Sequence, residues 1–391
     1  MNFRKLKIYK IVSRVLYPLE TLRIIYLILS KDIKIKSKII NKMFNKFLFY
    51  VKLDSYVINK KVDYNNLCCD MTDHKIVGEE YELLNKSDKE EDNLNPNWVT
   101  GYIDGEGAFM LNIYSDKSKS IGYTIRPIFQ ITVHESDLFI LYKIKKFFNN
   151  IGSIKKVGLY FSYKVESLKE IDAFIIPHFN KYPLLSINKF KSFFLLRICI
   201  NLIKINKKMN KDLFIEILKY KASFKKGLKA KVFDVYKDIV PFNFIDMPYS
   251  LPDKISPYWI AGFVAADGTF GVYQRGGKYK NYGCSFRISQ DKVDELLLIH
   301  ISEYLGCGVI IKSKTGMRDL AVFSLSELNE IIIPFFKKYK LYTSKKIDFD
   351  HFCQIVEIFN KKGNNKRWVI EDVEKIRLLT LKMNSFRRNK E

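Results

Sequence analysis

Two acids in this chain stand in matched settings. Glu106 falls near the end of WVTGYIDGEGAF, Trp98–Phe109, and Asp267 near the end of WIAGFVAADGTF, Trp259–Phe270. They lie 161 residues apart, and each is followed by a glycine, Gly107 or Gly268. The residues before each acid read as a short apolar helix. The glycine fits the position just past a helix end, where a left-handed backbone is cheap for glycine. Gly101 and Gly262 lie six positions before these glycines and leave a helix face without side chains, so two such helices can pack closely. Packing would bring the two carboxylates together at the negative ends of both helix dipoles. Like charges at that distance raise at least one pKa unless something neutralises them. A divalent cation does so, and two carboxylates plus phosphate oxygens suit Mg²⁺. Beside a phosphodiester such an ion activates water and stabilises the leaving oxygen. A lone acid before glycine is ordinarily a turn residue. Duplication in matched context favours chemistry.

The elements that must position these acids are duplicated too. FQITVHESD (Phe129–Asp137) pairs with FRISQDKVD (Phe286–Asp294), and IIPHFNKYPLLSINK (Ile175–Lys189) with IIPFFKKYKLYTSKK (Ile332–Lys346). Three landmarks in one order mark a repeated domain of about 150 residues, far too long a period for a solenoid. Each copy reads as a helix, then alternating strands, then helices. Phe109, Leu111 and Ile113 alternate with Met110, Asn112 and Tyr114, the period-two pattern of a strand with one apolar face. The expected divisions are an N-terminal extension, 1–95, that reads as mostly helical; a first repeat, 96–234; a linker with four prolines, 235–257; and a second repeat, 258–391. KSDKEEDNLNPN, Lys86–Asn97, reads as a linker or loop before the first repeat.

Composition points to the partner. Lys and Arg number 67 against 42 Asp and Glu, a formal charge of +25, which favours a polyanion because phosphate neutralisation releases counterions. Hydrophobic residues at 47% are ample for a core and exclude a disordered chain. Six scattered cysteines show no CxxC pair and no zinc spacing, so reduced, mostly buried thiols are expected. The first thirty residues are basic and apolar but too interrupted for a membrane span. They suit a targeting segment or a helical extension. The bias toward Lys, Ile, Asn, Phe and Tyr is that of AT-rich codons and hints at an organellar gene.

VTGYIDGEG (Val99–Gly107) and IAGFVAADG (Ile260–Gly268) resemble the nine-residue signature of the LAGLIDADG family of homing endonucleases and intron maturases. The FQI and FRI strands, YPLL, ILKYKASFKKGL and LKMNSF resemble its single-chain, two-repeat branch, over about residues 96–390. The resemblance implies an α+β protein of two pseudo-twofold αββαββα half-domains whose signature helices pair. It implies two antiparallel sheets forming a saddle on double-stranded DNA, and Mg²⁺-dependent cleavage of both strands by a monomer with no small-molecule substrate. It makes Glu106 and Asp267 the metal-binding acids, with backbone carbonyls of Gly107 and Gly268 also facing metal. It gives Gln290 a polar position behind the site, occupied by Val133 in the first copy, and Lys189 and Lys346 a basic position near it. The sixth motif position departs: Asp104 in the first copy is Ala265 in the second, which forfeits a hydrogen bond at the helix end.

On such a saddle the alternation names DNA-facing side chains. They are Met110, Asn112, Tyr114, Arg126, Ile128, Gln130 and Thr132 in the first half, and Tyr273, Arg275, Arg287 and Ser289 in the second. Arg and Gln read guanine and adenine edges in the major groove. Lys117, Lys119, Lys278 and Lys280 would contact phosphate without reading sequence. Three functions fit the family. The first is a mitochondrial, intron-encoded endonuclease cutting a long asymmetric site. The second is a maturase binding intron RNA on the same fold. The third is a cleavage-inactive DNA binder, whose mark would be loss of an acid. Both acids are intact.

Overall fold

The computed structural model describes residues 93–384 except 207, 246, 276–280, 314–315 and 363–367. The expected N-terminal extension up to residue 92, Cys68, Cys69, Lys278 and Lys280 lie outside the described residues, as does the side chain of Arg275.

The same run of elements occurs twice. In the first half, α1 (Pro96–Glu106) leads into β1 (Gly107–Ser115), β2 (Tyr123–His134), α2 (Leu138–Phe147), β3 (Ser153–Val157) and β4 (Tyr160–Val165). Then α3 runs through Leu168–Glu170, a π turn at Ile171–Ile175, and Ile176–Lys181, followed by α4 (Ile187–Ile205), α5 (Lys211–Ala222) and α6 (Ala230–Phe233). In the second half, α7 (Pro257–Asp267) leads into β5 (Gly268–Arg275), β6 (Asn281–Gln290), α8 (Glu295–Leu305), β7 (Val309–Lys312) and β8 (Arg318–Val322). There α9 repeats the broken pattern of α3 as Leu325–Glu327, a π turn at Leu328–Ile332, and Ile333–Lys338, before α10 (Lys345–Lys362) and α11 (Ile370–Thr380). Each half holds one four-stranded sheet, in the order β1-β2-β4-β3 or β5-β6-β8-β7, with every neighbouring pair antiparallel. The α+β class and the two-half architecture expected from sequence are present.

Both signature helices begin at a proline, whose fixed φ suits the first helical position and whose missing N–H costs nothing there. The expected loop before the first repeat therefore ends at Asn95, whose side chain caps α1 by accepting from the Asn97 amide at 2.9 Å. Burial follows the strand alternation. Phe109, Leu111 and Ile113 are buried while Met110, Asn112 and Tyr114 lie on the open face. An aromatic cluster fills the space between each sheet and its helices. Phe109 meets Phe129, Phe179 and Phe193 at 5.2–5.4 Å between ring centroids. Phe270 meets Phe286, Phe336, Phe349 and Phe352 at 5.2–5.6 Å. Among the described residues, the segment joining the halves carries no regular element between Phe233 and Pro257. It is tied down where Tyr249 donates its hydroxyl to the Leu185 carbonyl at 2.6 Å and where Ser223 donates to the Phe242 carbonyl at 3.3 Å. Cys199, Cys284 and Cys307 are buried free thiols, and Cys353 is a half-buried one. No described helix is long and apolar enough to cross a membrane.

Candidate active site

Helices α1 and α7 pack backbone to backbone. A Cβ added at Gly101 would overlap the Trp259 carbonyl and lie 2.9 Å from the Phe263 nitrogen. One added at Gly262 would overlap the Trp98 carbonyl and lie 2.9 Å from the Tyr102 nitrogen. One turn on, Gly105 faces Ala266, and a Cβ at Gly105 would stand 3.3 Å from the Asp267 carboxyl carbon. This close approach puts the last residues of the two helices, Glu106 and Asp267, side by side. Gly107 and Gly268 correct the sequence expectation. Their backbones are extended, with φ of −71° and −75°, rather than left-handed. Glycine is required there because a side chain would strike the helix just ended. An added Cβ would lie 2.6 Å from the Ile103 carbonyl oxygen or 2.8 Å from that of Val264. The chain passes directly from helix into the first strand, and the acid is held at that corner.

The two acids feel each other. Burial first and the Asp267 charge second push the Glu106 carboxyl up to about 7, against the pull of Lys345 and Lys189. Its side chain still opens to solvent on one side. Two ammonium groups reach the same corner. Lys189 donates to the Gly107 carbonyl, and Lys345 donates to the Gly268 carbonyl at 2.5 Å and to the Ala266 carbonyl at 2.8 Å. Burial lowers both lysine pKa values, and the carboxylates oppose the fall. The basic residue of the second copy is thus Lys345, not Lys346. Lys346 lies near Asp350, one helical turn on, whose carboxyl is raised by burial against the opposing pull of the Lys346 charge. One residue around a helix turns a side chain by about 100°, so α10 can aim only one of the two at the acids.

Gln290 donates from Nε2 to Asp267 Oδ2 at 2.7 Å. It follows Phe286 and Ile288 on the apolar side of β6, which is why it reaches the acid from behind. Val133, its counterpart on β2, is buried and offers no such bond to Glu106. Asp104 is a hub between the halves. Its Oδ2 accepts from the Leu185 amide at 2.8 Å and from the Trp259 indole at 2.9 Å, and its Oδ1 from the Ser186 amide at 3.2 Å. Burial pushes its carboxyl up to about 7, and these bonds and Lys189 pull the other way. All three partners donate, so the ionised form fits the site. In the second half Ala265 has no carboxylate, and Trp98 turns its indole to the Lys340 carbonyl at 3.2 Å instead.

Among the described residues no three His, Cys, Asp or Glu side chains cluster as a metal site. The donors at the corner are two carboxylates and the Gly107 and Gly268 carbonyls. Both carbonyls already accept from ammonium groups, and Glu106 is held high by burial and then by its neighbour's charge. Oxygen donors of this kind suit a hard divalent cation whose remaining ligands come from phosphate and water.

On the open faces, Asn112 Nδ2 donates to the Tyr114 hydroxyl at 3.0 Å, and Arg126 stacks over the Tyr114 ring at 5.6 Å. Gln130 Nε2 donates to Thr132 Oγ1 at 2.8 Å. Ile128 shares this face but is covered, at 3% exposed. In the second sheet Arg287 stacks over Phe323 at 5.1 Å, Tyr273 is partly open and Ser289 is exposed. Lys117 and Lys119 are exposed in the β1–β2 loop.

The sequence profile described as LAGLIDADG endonuclease matches residues 99–200 and 260–356, one match on each half. The chain belongs to the LAGLIDADG endonuclease family. A curated relative, probable intron-encoded endonuclease 2 of Neurospora crassa, is 30% identical over 292 residues, which are 70% of this chain and 63% of that protein. The chain therefore spans less than two thirds of that relative. A probable intron-encoded DNA endonuclease 1 of Mycosarcoma maydis is 26% identical over 64% of this chain and 94% of its own. Among solved structures, the LAGLIDADG homing endonuclease I-SmaMI bound to cleaved DNA matches with a TM-score of 0.70 and 32% identity, over 75% of this chain and 98% of that one. I-SmaMI has also been solved on an uncleaved DNA target in the presence of calcium ions, again at a TM-score of 0.70.

Proposed function

We propose that this LAGLIDADG chain is a site-specific endonuclease that cuts both strands of a long, asymmetric DNA target as a monomer. It works with a divalent cation, Mg²⁺ by preference. The observation that carries the reading is the convergence of Glu106, Asp267, Lys189, Lys345 and Gln290 on the corner where two glycine-packed helices end. The carboxylates of Glu106 and Asp267, with the Gly107 and Gly268 carbonyls, are the residues that would hold the metal. Bound there, it supplies a nucleophile from water and stabilises the leaving oxygen.

The chain's own groups do the rest. Lys189 and Lys345 carry positive charge to the point where a phosphodiester gains negative charge, in a partly buried setting that strengthens the attraction. Gln290 fixes the Asp267 carboxylate and leaves Glu106 freer, so the two half-reactions are not equivalent. The open sheet faces, with Asn112, Tyr114, Arg126, Gln130, Arg287 and Ser289, are suited to base edges, and Lys117 and Lys119 to phosphate. The intron-encoded relatives and the AT-rich residue bias support a mitochondrial intron as the gene's home.

The test is Mg²⁺-dependent cutting of intron-free organellar DNA by the full chain, with all new ends sequenced. Discrete double-strand ends that disappear in a Glu106→Gln, Asp267→Asn double variant are expected. A double variant that cuts as well as its parent refutes the assignment. A folded protein that binds intron RNA and cuts no DNA moves the reading to a maturase.

A further inference from the structure

Two acids outside the paired helices join the halves. Asp137 ends FQITVHESD and Asp294 ends FRISQDKVD, at matching places in the repeats. Both are buried, at 8% and 2% exposed. Each reaches into the opposite half. Asp137 Oδ1 accepts from the Ser344 amide at 2.6 Å, and its Oδ2 accepts from the Ser344 hydroxyl at 3.0 Å. Asp294 Oδ1 accepts from the Ile187 amide at 2.7 Å. Ile187 opens α4, and Ser344 immediately precedes α10. The residue before α4, Ser186, makes no side-chain cap bond of its own. The unpaired amides at the start of each helix, which need an acceptor, therefore find one on the other repeat. Each of these helix starts carries a site lysine: Lys189 is two residues past Ile187, and Lys345 follows Ser344.

We propose that Asp137 and Asp294 are positioning residues that act across the repeat interface, Asp137 aiming Lys345 and Asp294 aiming Lys189. A helix start without its cap frays through its first turn, and each lysine sits in that turn. The arrangement also means that each half aims its lysine fully only when the other is docked. The two sides differ in strength. On α4, Asp104 of the same half also holds the Leu185 and Ser186 amides with a carboxylate, whereas on α10 the same-half partner is only the Thr343 hydroxyl, which accepts from the Lys345 amide at 3.4 Å and donates to the Ala265 carbonyl at 3.3 Å. Loss of Asp137 therefore releases Lys345 further than loss of Asp294 releases Lys189. The consequence for cleavage rests on the endonuclease reading; the geometry does not.

The experiment is competitive acetylation of the folded full chain without DNA or metal, with Lys189 and Lys345 read by mass spectrometry. Asp137→Ala is expected to raise the Lys345 rate on the order of five-fold, the worth of one helix cap, and to leave Lys189 unchanged. Asp294→Ala raises Lys189 instead, by less. D137N and D294N keep an acceptor oxygen and shift the same lysine by a smaller factor, and they carry the comparison if an alanine variant does not fold. An equal rise at both lysines, or none at either, overturns the proposal whether or not the protein cuts DNA. If the parent cuts, the alanine variants shift the ratio of nicking on the two strands in opposite directions. Equal slowing of both strands assigns the acids a purely structural role and refutes the aiming.

Discussion

Replacing Gly262 by alanine tests the core of the site's construction. The new methyl carbon would lie 2.9 Å from the Tyr102 nitrogen and overlap the Trp98 carbonyl oxygen. Ordinary contacts begin about 0.5–1 Å further out, and the obstacle is helix backbone, which cannot swing aside as a side chain would. The helices must separate by roughly 1 Å. Overpacking of this kind costs about 1–3 kcal/mol, and a rigid obstacle puts it near the upper end. Alanine's better helix propensity returns about 1 kcal/mol, leaving a net loss of about 2 kcal/mol. The catalytic effect is larger. Glu106 and Asp267 ride on the separated helices, and a 1 Å misplacement of reacting groups costs about 10²-fold in rate. Urea denaturation gives the first number and single-turnover cleavage the second. Gly271→Ala is the control, because its methyl group would meet Ser285 alone at ordinary contact distances, the hydroxyl at 3.5 Å and the carbonyl oxygen at 3.9 Å. If Gly262→Ala matches the control in both stability and rate, the helices do not pack as described and the proximity of the acids loses its cause.

Three further outcomes are expected. Lys345→Ala slows nicking by at least about ten-fold, as loss of a preorganised charge does, while Lys346→Ala leaves the rate unchanged; equal effects would contradict the assignment of Lys345. At limiting Mg²⁺, cleavage falls as the pH drops through about 7, because Glu106 must ionise to bind the cation, and added Mg²⁺ moves that midpoint downward. The same raised pKa adds to stability below the unfolded value of 4.5 and is lost as the pH rises through about 7, so Glu106→Gln should flatten that part of the stability profile measured by denaturation. Asp104→Ala strands two amides and the Trp259 indole and should cost about 2–4 kcal/mol in chemical denaturation; a loss under about 0.5 kcal/mol would deny it the role of hub.

Much of the site was legible because it is written in short-range patterns. The duplicated motif exposed Glu106 and Asp267, and strand alternation separated Phe109, Leu111 and Ile113 from Met110, Asn112 and Tyr114. Gln290 takes its place behind the acid from the family resemblance, and matching the repeats shows only that Val133 stands there in the first copy. The pattern is silent where a single residue's rotation or the docking of the halves decides. Lys346 aligned with Lys189 by a constant offset, yet α10 starts so that Lys345 faces the carbonyls. Ile128 shares the polar face of β2 but is covered there. Gly107 and Gly268 were expected to be left-handed, and instead their smallness clears the preceding helix.

The amino-acid sequence by itself determined that two half-domains exist, where their strands run and which two acids end the paired helices. These depend on composition, period and repetition, all of which act within a few residues. Only the tertiary structure decided what Asp104, Asp137 and Asp294 are for. Apart from the adjacent Ser136 hydroxyl on Asp137, their partners lie 81 to 207 residues away along the chain, and most are in the other half. A buried carboxylate is stable only where donors converge on it, and that convergence exists only once the two halves have docked.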